Sequence, residues 1–365
     1  MKLLYITNGI NGAGGLERVL SVKASYLAEH FGYEVTILSL NNSHLHPFYT
    51  FSQKISMLSI VTEGNPLKYA RTYRKGIKKI VAQVQPDVIS VCDDGLKGFF
   101  IPTIIDSKIP IIYERHVSKE IEMNDSFSIF KKLVIRMKWK VMEHLASHFS
   151  KFVVLTKGNT LEWQSLTNSI VIPNPLSFYP KESSRLQNKK VIAVGKQGFQ
   201  KGYDRLLAAW QLVNHKHPDW QLEIYGTIAP EFKLEELSKS LGISESVFFY
   251  PPEKEIQSKY LDASLYVMSS RFEGFGMVLI EAMACGVPCV SFDCNYGPSD
   301  IIAHNEDGLV VPNGDILALA DGIKTLLSQE QLRLNMGAKS KSNVKRFLPE
   351  IIVEQWDMLF KQLMQ

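Results

Sequence analysis

The chain has 365 residues, 45% hydrophobic and 21% charged, with 23 glycines, 16 prolines and a net charge of +4. That is ordinary globular composition for about two domains, so collagen-like, disordered and disulfide-scaffold classes are excluded, and the charge is too mild to argue for nucleic acid. No apolar run reaches the ~18 residues that cross a bilayer, and four cysteines, three of them within 285–294, suit reduced thiols inside a cell.

The opening MKLLYITNGI is too short in its apolar part for a signal peptide and reads as a first strand. Strands are expected over 3–7, 34–39, 55–60, 88–92, 109–113, 152–155 and 169–172, with helices over 16–30, 66–84 and 127–148. Several of these strands are apolar on both faces, which points to a doubly wound parallel α/β sheet. A proline-rich polar stretch, PNPLSFYPKESSRLQNKK at 173–190, reads as a linker. The alternation restarts with strands over 191–194, 220–225, 247–250, 265–268, 287–292 and 308–311, and helices over 203–215, 231–241, 277–285 and 315–327. A last helix over 349–364 carries Ile352, Trp356, Phe360 and Leu363 on one stripe, able to pack on either unit.

Three strand-to-helix loops concentrate glycine and charge. The first, GINGAGGLERV at 9–19, has four glycines within 9–15 and leads into a helix N-terminus suited to an anion. It fails the dinucleotide pattern, because Glu17 stands where the last glycine belongs. The alternative is a loose turn. The second, GKQGFQKG at 195–202, adds Lys196 and Lys201, fit for a diphosphate or for a solvated basic turn. The third, SSRFEGFGMVLIEAMA at 269–284, places Glu273 in a loop, holding no core, and Glu281 on the second helical turn among apolar neighbours. A carboxylate there needs a partner: sugar hydroxyls, a salt bridge or the helix dipole.

In the helix at 127–148, Phe130, Val134, Met137, Val141 and Leu145 form an apolar stripe suited to the core. Lys132, Arg136 and Lys140 recur on a second face beside Ile135, Trp139 and Met142, and Lys119, Lys131 and Lys138 add charge. A basic row beside exposed Trp and Met suits a membrane surface or a lipid diphosphate; the alternative is a solvated basic face with Trp139 packed on a loop.

GINGAGGLERV, the EGFGMVLIE at 273–281, AMACGVPCV at 282–290, NYGPSDII at 295–302, NEDGLVV at 305–311 and the Lys201-Gly202 pair together resemble the family 4 glycosyltransferases, over essentially the whole chain. The resemblance implies a GT-B fold: two Rossmann-like domains facing across a cleft. An acceptor-binding domain would span 1–175, a nucleotide-sugar-binding domain 188–345, and the helix 349–365 would cross back to the first. It implies transfer of a sugar, with retention, from a nucleotide sugar, by family habit UDP-hexose or UDP-N-acetylhexosamine with GDP left open, to a saccharide or lipid-linked saccharide. The setting implied is surface polysaccharide or lipopolysaccharide assembly, in the cytoplasm or peripheral on the inner membrane face. Lys201 then matches the lysine on the donor diphosphate, Glu273 the glutamate near the donor sugar, and His116 a histidine facing that sugar. Phe275, Gly276 and Met277 match the loop whose backbone faces sugar and phosphate, Glu281 the ribose glutamate, and Gly14 and Gly15 the loop near the diphosphate. Gly226, Tyr250 and Pro252 join the donor side, with Tyr250-Pro251-Pro252 offering backbone to the base. Glu17, Lys132, Arg136 and Lys140 form the acceptor side. Lys196 departs from the pattern, which has arginine there; lysine keeps the charge and loses the bidentate fork.

Asp-x-Asp is absent and Asp93-Asp94 is adjacent, so no catalytic metal and no cofactor beyond the nucleotide-sugar co-substrate is expected. Cys285 and Cys289 read as small buried packing residues. An epimerase or hydrolase on the same fold is the alternative enzyme. An NAD-dependent oxidoreductase is disfavoured, because Ser39, Leu40 and Asn41 offer no acidic residue after the second strand. A silent binding subunit would be expected to have lost Glu273 or Lys201, and both are present.

Overall fold

Strands that are apolar on both faces can satisfy themselves only inside a covered parallel sheet, and the chain builds two. The structure, a computed structural model, describes residues 1–41, 46–105, 108–123 and 127–365. It divides into unit 1, Met1–Ser177 with Pro349–Gln365, and unit 2, Phe178–Leu348.

Unit 1 holds β1 (Lys2–Thr7), β2 (Glu34–Leu40), β3 (Ser56–Ile60), β4 (Val88–Cys92), β5 (Ile111–Glu114), β6 (Lys151–Val154) and β7 (Ser169–Val171). They pair in the order β3-β2-β1-β4-β5-β6-β7, every neighbour parallel. Its longer helices are α1 (Gly15–His30), α2 (Pro66–Val84) and α3 (Ile129–Ala146). Asn65 caps α2 by accepting from the Lys68 N–H, and Ser128 caps α3 by accepting from the Lys131 N–H. The core gathers Leu4, Ile6, Ile77, Ile89, Val91, Phe99, Tyr113, Phe152 and Trp163.

Unit 2 holds β8 (Lys190–Val194), β9 (Gln221–Tyr225), β10 (Val247–Tyr250), β11 (Leu265–Met268), β12 (Cys289–Asp293) and β13 (Gly308–Pro312), in the order β10-β9-β8-β11-β12-β13 and all parallel. Both sheets thus repeat the order of a dinucleotide-binding half-pair, whose switch points lie beside β1 and β8. Its longer helices are α4 (Tyr203–Asn214), α5 (Leu234–Ser240), α6 (Ile256–Asp262), α7 (Met277–Ala284), α8 (Ile316–Ser328) and α9 (Glu330–Asn343). The chain ends in α10 (Pro349–Leu363), which belongs to unit 1. There Ile352, Trp356 and Phe360 are buried and the Tyr33 hydroxyl donates to Asp357 Oδ1 at 2.7 Å.

One helix departs from its expected orientation. Phe130, Val134, Met137 and Val141, the stripe expected in the core, are exposed; only Leu145 of that stripe is buried. Met142, expected on the exposed side, is buried, and Trp139 is half-buried against the unit 1 core. The packed side of α3 is therefore the one formed by Met142, Leu145 and Ala146. Among the longer helices, α6 and α9 fall where none was expected. The expected helix at 231–241 starts later, at Leu234, because Lys233 takes a left-handed φ of 49°.

Candidate active site

In α/β sheets of this kind, ligands gather at the carboxyl ends of the strands. In unit 2 the loops after β8, β9 and β11 meet there. Gly226 closes the approach of the first two: a Cβ on it would lie 2.0 Å from the Gly195 carbonyl oxygen, so only glycine lets these backbones touch. The Gly195 N–H donates to Tyr225 O at 2.8 Å and the Gly226 N–H to Tyr250 O at 3.0 Å. Tyr225 and Tyr250 stack at 4.7 Å between centroids, with the Tyr225 hydroxyl donating to Glu223 at 2.8 Å.

The chemistry-bearing pair stands beside this platform. Lys201 Nζ donates to Glu273 Oε1 at 2.6 Å, and Ser270 Oγ donates to the same oxygen at 2.7 Å. Glu273 is buried, and its loop is tied at both faces: its N–H donates to Asn295 O at 2.8 Å and its carbonyl accepts from the Tyr296 N–H at 3.1 Å. The sequence expected a loop glutamate that holds no core; the structure instead gives it a structural load as well. Arg271 braces the loop, donating twice to Asp204, at 2.9 and 2.6 Å, and to Phe199 O at 2.8 Å. Burial opposes ionisation of Asp204, and the Arg271 bonds overcome it, holding its pKa below the usual range.

Gly276 turns the loop into α7 with φ at 105°, a region that favours glycine. Phe275 and Gly276 therefore sit at the N-terminus of α7 with Met277 as its first residue. Glu281 is buried one turn later, where the Tyr260 hydroxyl donates to Oε2 at 3.4 Å. Lys196 and Pro252 are exposed.

Unit 1 carries a second constellation, drawn from α1, β4, β5 and the loop after β5. The Glu114 carboxylate is buried and accepts from Ser90 Oγ at 2.5 Å and from the Lys23 ammonium, itself buried. His116 Nε2 lies 3.1 Å from Glu114 Oε2. Burial alone would raise the Glu114 pKa; the Lys23 charge and the His116 contact outweigh it and bring it to about 2. An anionic Glu114 accepts, so Nε2 carries the imidazole proton. Nδ1 is buried and has no hydrogen bond among the described residues. Cys92, Glu114 and His116 place ligand atoms within 4.8 Å of one another. The Lys23 ammonium pairs with the same Glu114 carboxylate, and its positive charge competes with a cation there.

Gly14 and Gly15 open α1, with Gly14 as N-cap. Glu17 folds back over them: a Cβ on Gly12 or Gly14 would lie 2.5 Å from a Glu17 carboxylate oxygen. Burial raises the Glu17 pKa. Lys132, Arg136 and Lys140 all lie on α3, with Arg136 and Lys140 exposed and Lys132 half-buried. Sequence reasoning missed Lys23, Ser90, Glu114 and Ser270. Of these, Ser270 stood inside a loop already singled out.

Residues 178–343 match the family Glycosyl transferases group 1. Over nearly its full length the chain is 31% identical to an uncharacterised glycosyltransferase of Haemophilus influenzae, covering 97% of this chain and 98% of that protein. It is also 31% identical to the amylovoran biosynthesis glycosyltransferase AmsD of Erwinia amylovora, covering 98% of each. A TarM variant from Staphylococcus aureus, solved with fondaparinux, α-GlcNAc-glycerol and UDP, superimposes with a TM-score of 0.80 at 17% identity, over 98% of this chain and 99% of that one. The chain belongs to the group 1 glycosyltransferases, and its fold is GT-B.

Proposed function

We propose that the chain transfers a hexose or N-acetylhexosamine from its UDP conjugate, with retention and without a metal, to a lipid-linked saccharide at the inner membrane face during surface polysaccharide assembly. The observation that carries this reading is the Lys201–Glu273 pair at the end of β11, held by Ser270 beside the N-terminus of α7. Glu273 uses one of the three ammonium protons of Lys201, which leaves two for a diphosphate oxygen. The resemblance of the chain to AmsD, named for amylovoran biosynthesis, supports the polysaccharide setting, and the UDP bound to TarM supports the nucleotide.

In this reading unit 2 holds the donor. Lys201, Lys196 and the backbone N–H groups at Phe275, Gly276 and Met277 neutralise the diphosphate in place of a metal. Glu281 takes the ribose, and Gly226, Tyr250 and Pro252 face the base. For the residues of unit 1, the family resemblance suggests diphosphate roles for Gly14 and Gly15, a sugar role for His116, and acceptor roles for Glu17, Lys132, Arg136 and Lys140. The acceptor oxygen attacks from the face the diphosphate leaves. The new glycosidic bond forms as the anomeric carbon–phosphate oxygen bond breaks, and the acceptor proton passes to the departing diphosphate oxygen.

Calorimetry of UDP, GDP and their sugar conjugates, with and without EDTA, tests the donor half. UDP binding should survive EDTA and be lost in Glu281→Ala. Glu273→Gln, which keeps the loop's shape, and Lys201→Ala should each lower turnover on the order of 10²-fold or more. Wild-type turnover in both variants, or no nucleotide binding by the folded protein, would sink the assignment.

A further inference from the structure

Unit 2 holds a cavity of about 280 Å³ next to the Lys201–Glu273 pair. Its walls come from the loop after β8, the first turn of α4, the segment that leads into α5 and the loop after β11. Phe199 and Phe232 line it and stay 44% and 40% exposed. Asp204, Glu231 and Arg271 supply its charged groups. Phe199 precedes Lys201 by two residues and Arg271 precedes Glu273 by two, so the cavity backs onto both transfer-site loops without including the pair itself. Aromatic walls with a few placed polar groups are the make-up of a small-molecule site.

Size and charge select the occupant. Ligand pockets run from roughly 300 Å³ upward, so this one takes a single ring and not a nucleotide. Arg271 engages three of its five N–H groups within the protein, with Phe199 O at 2.8 Å and with Asp204 Oδ1 and Oδ2 at 2.9 and 2.6 Å. An anion would meet that neutralised guanidinium and the carboxylate of Glu231, which is exposed and has no ion pair among the described residues. Two carboxylates against one guanidinium thus turn away phosphates and uronates. A small cation would compete with Arg271 itself, whose guanidinium already lies 4.2 Å over the Phe199 ring. A purely apolar ring would cover these charged groups without bonding to them. A neutral pyranose satisfies all of them together. Its C–H face lies on an aromatic ring, its hydroxyls donate to the carboxylates, and its oxygens accept from the two remaining Arg271 N–H groups. We infer that this cavity binds one neutral pyranose ring of a saccharide, at a subsite separate from that of the donor sugar. This stands on the cavity lining alone, whether or not Lys201 and Glu273 act on a UDP-sugar.

The test is saturation-transfer NMR on the full chain with UDP present. The probes are methyl α-glucopyranoside, methyl α-galactopyranoside and methyl N-acetyl-α-glucosaminide, with glucuronate as the anionic control. At least one neutral pyranoside should receive saturation, strongest at the C–H protons of one ring face, and glucuronate should bind several-fold more weakly. Phe232→Ala should weaken that pyranoside about tenfold, through loss of the ring's apolar contact. Glu231→Gln should relieve the bias against glucuronate. Phe232 and Glu231 are exposed and lie outside the donor machinery, so the melting temperature and UDP affinity of both variants should match the wild type, which separates a lost subsite from lost folding. Glu273→Gln should leave the Phe232-dependent signal in place. No binding of any of the three pyranosides, or binding that Phe232→Ala leaves undiminished, overturns the inference. So does binding that Glu273→Gln removes and Phe232→Ala spares, which would give the sugar to the transfer site. Wild-type turnover in Glu273→Gln beside Phe232-dependent binding would sink the donor assignment and leave this subsite standing.

Discussion

Lys23, Ser90, Glu114 and His116 come from α1, β4, β5 and the loop after it, and they act as one device. The Lys23 ammonium also stands 3.9 Å from the centre of the Trp356 ring, which ties the device to α10. A fully buried ion pair is worth little net stability, but breaking one partner leaves the other charge stranded. Glu114→Gln should therefore destabilise by about 3–5 kcal/mol, whereas Glu114→Gln with Lys23→Met should recover much of that loss. Because the pair depresses the Glu114 pKa from the ordinary ~4.3 of a glutamate to about 2, its stabilisation is present above the ordinary value and fades as pH falls toward 2. The double variant should thus show a flatter stability profile between those limits. It should still lose turnover, about 10–100-fold, because Nε2 of His116 no longer has an anion to fix its tautomer. A nitrogen-15 spectrum of His116 reads the tautomer directly. Wild-type turnover together with an unchanged tautomer in the double variant would show that Glu114 does not position the imidazole. Little of this was legible in the sequence. His116 was found through a family pattern and Glu114 stands two positions before it, but Lys23 and Ser90, which hold Glu114, are 91 and 24 positions from it. No local spacing records such contacts.

At the scale of elements, hydrophobic periodicity located strands and long helices well and failed in two instructive ways. On α3 it detected an apolar stripe correctly but could not say what lay against it; periodicity measures a face, not its partner. On α9, EQLRLNMGAKSKSN, it saw almost nothing, because the helix is buried through small and polar residues. Gly337 allows that approach: a Cβ there would lie 2.5 Å from the Gly286 carbonyl oxygen. Arg333, buried, donates to Leu326 O at 2.6 Å, to Leu327 O at 3.1 Å and to Leu186 O at 3.1 Å. Two of those carbonyls are the orphans left at the end of α8, so Arg333 is its C-terminal cap in trans. Arg333→Met keeps the aliphatic volume and strands three buried acceptors. It should cost about 2–4 kcal/mol, each stranded group being worth roughly 1–3 kcal/mol before relaxation. Urea unfolding monitored by circular dichroism checks this. A loss under about 0.5 kcal/mol, the usual size for an uninvolved surface change, would mean that water replaces the guanidinium.

For the whole molecule, the repetition of a doubly wound α/β unit was the most legible feature. Strands apolar on both faces admit only a covered parallel sheet, and strand-helix alternation admits few ways to wind it. The glycine-bearing loops were legible for the same reason: each follows a strand end and opens a helix, at the edge where such sheets bind ligands. What the sequence withheld is which loop residues carry structural load, as Glu273 and Arg271 do. If the nucleotide is held by unit 2, its binding energy should appear there as local stability. At a hundredfold excess over Kd, a ligand that binds only the folded state adds about 2.7 kcal/mol. Hydrogen exchange with and without UDP should then slow at 195–202 and at 269–281, the loops after β8 and β11 with the start of α7, and leave β1–β7 unchanged. Lys201→Ala should remove the protection at both segments, because its ammonium joins them through Glu273. Slowing confined to β1–β7 would move the nucleotide to unit 1. The glycine loop over Glu17 would then be its site, and Lys201 and Glu273 would be left as a structural pair.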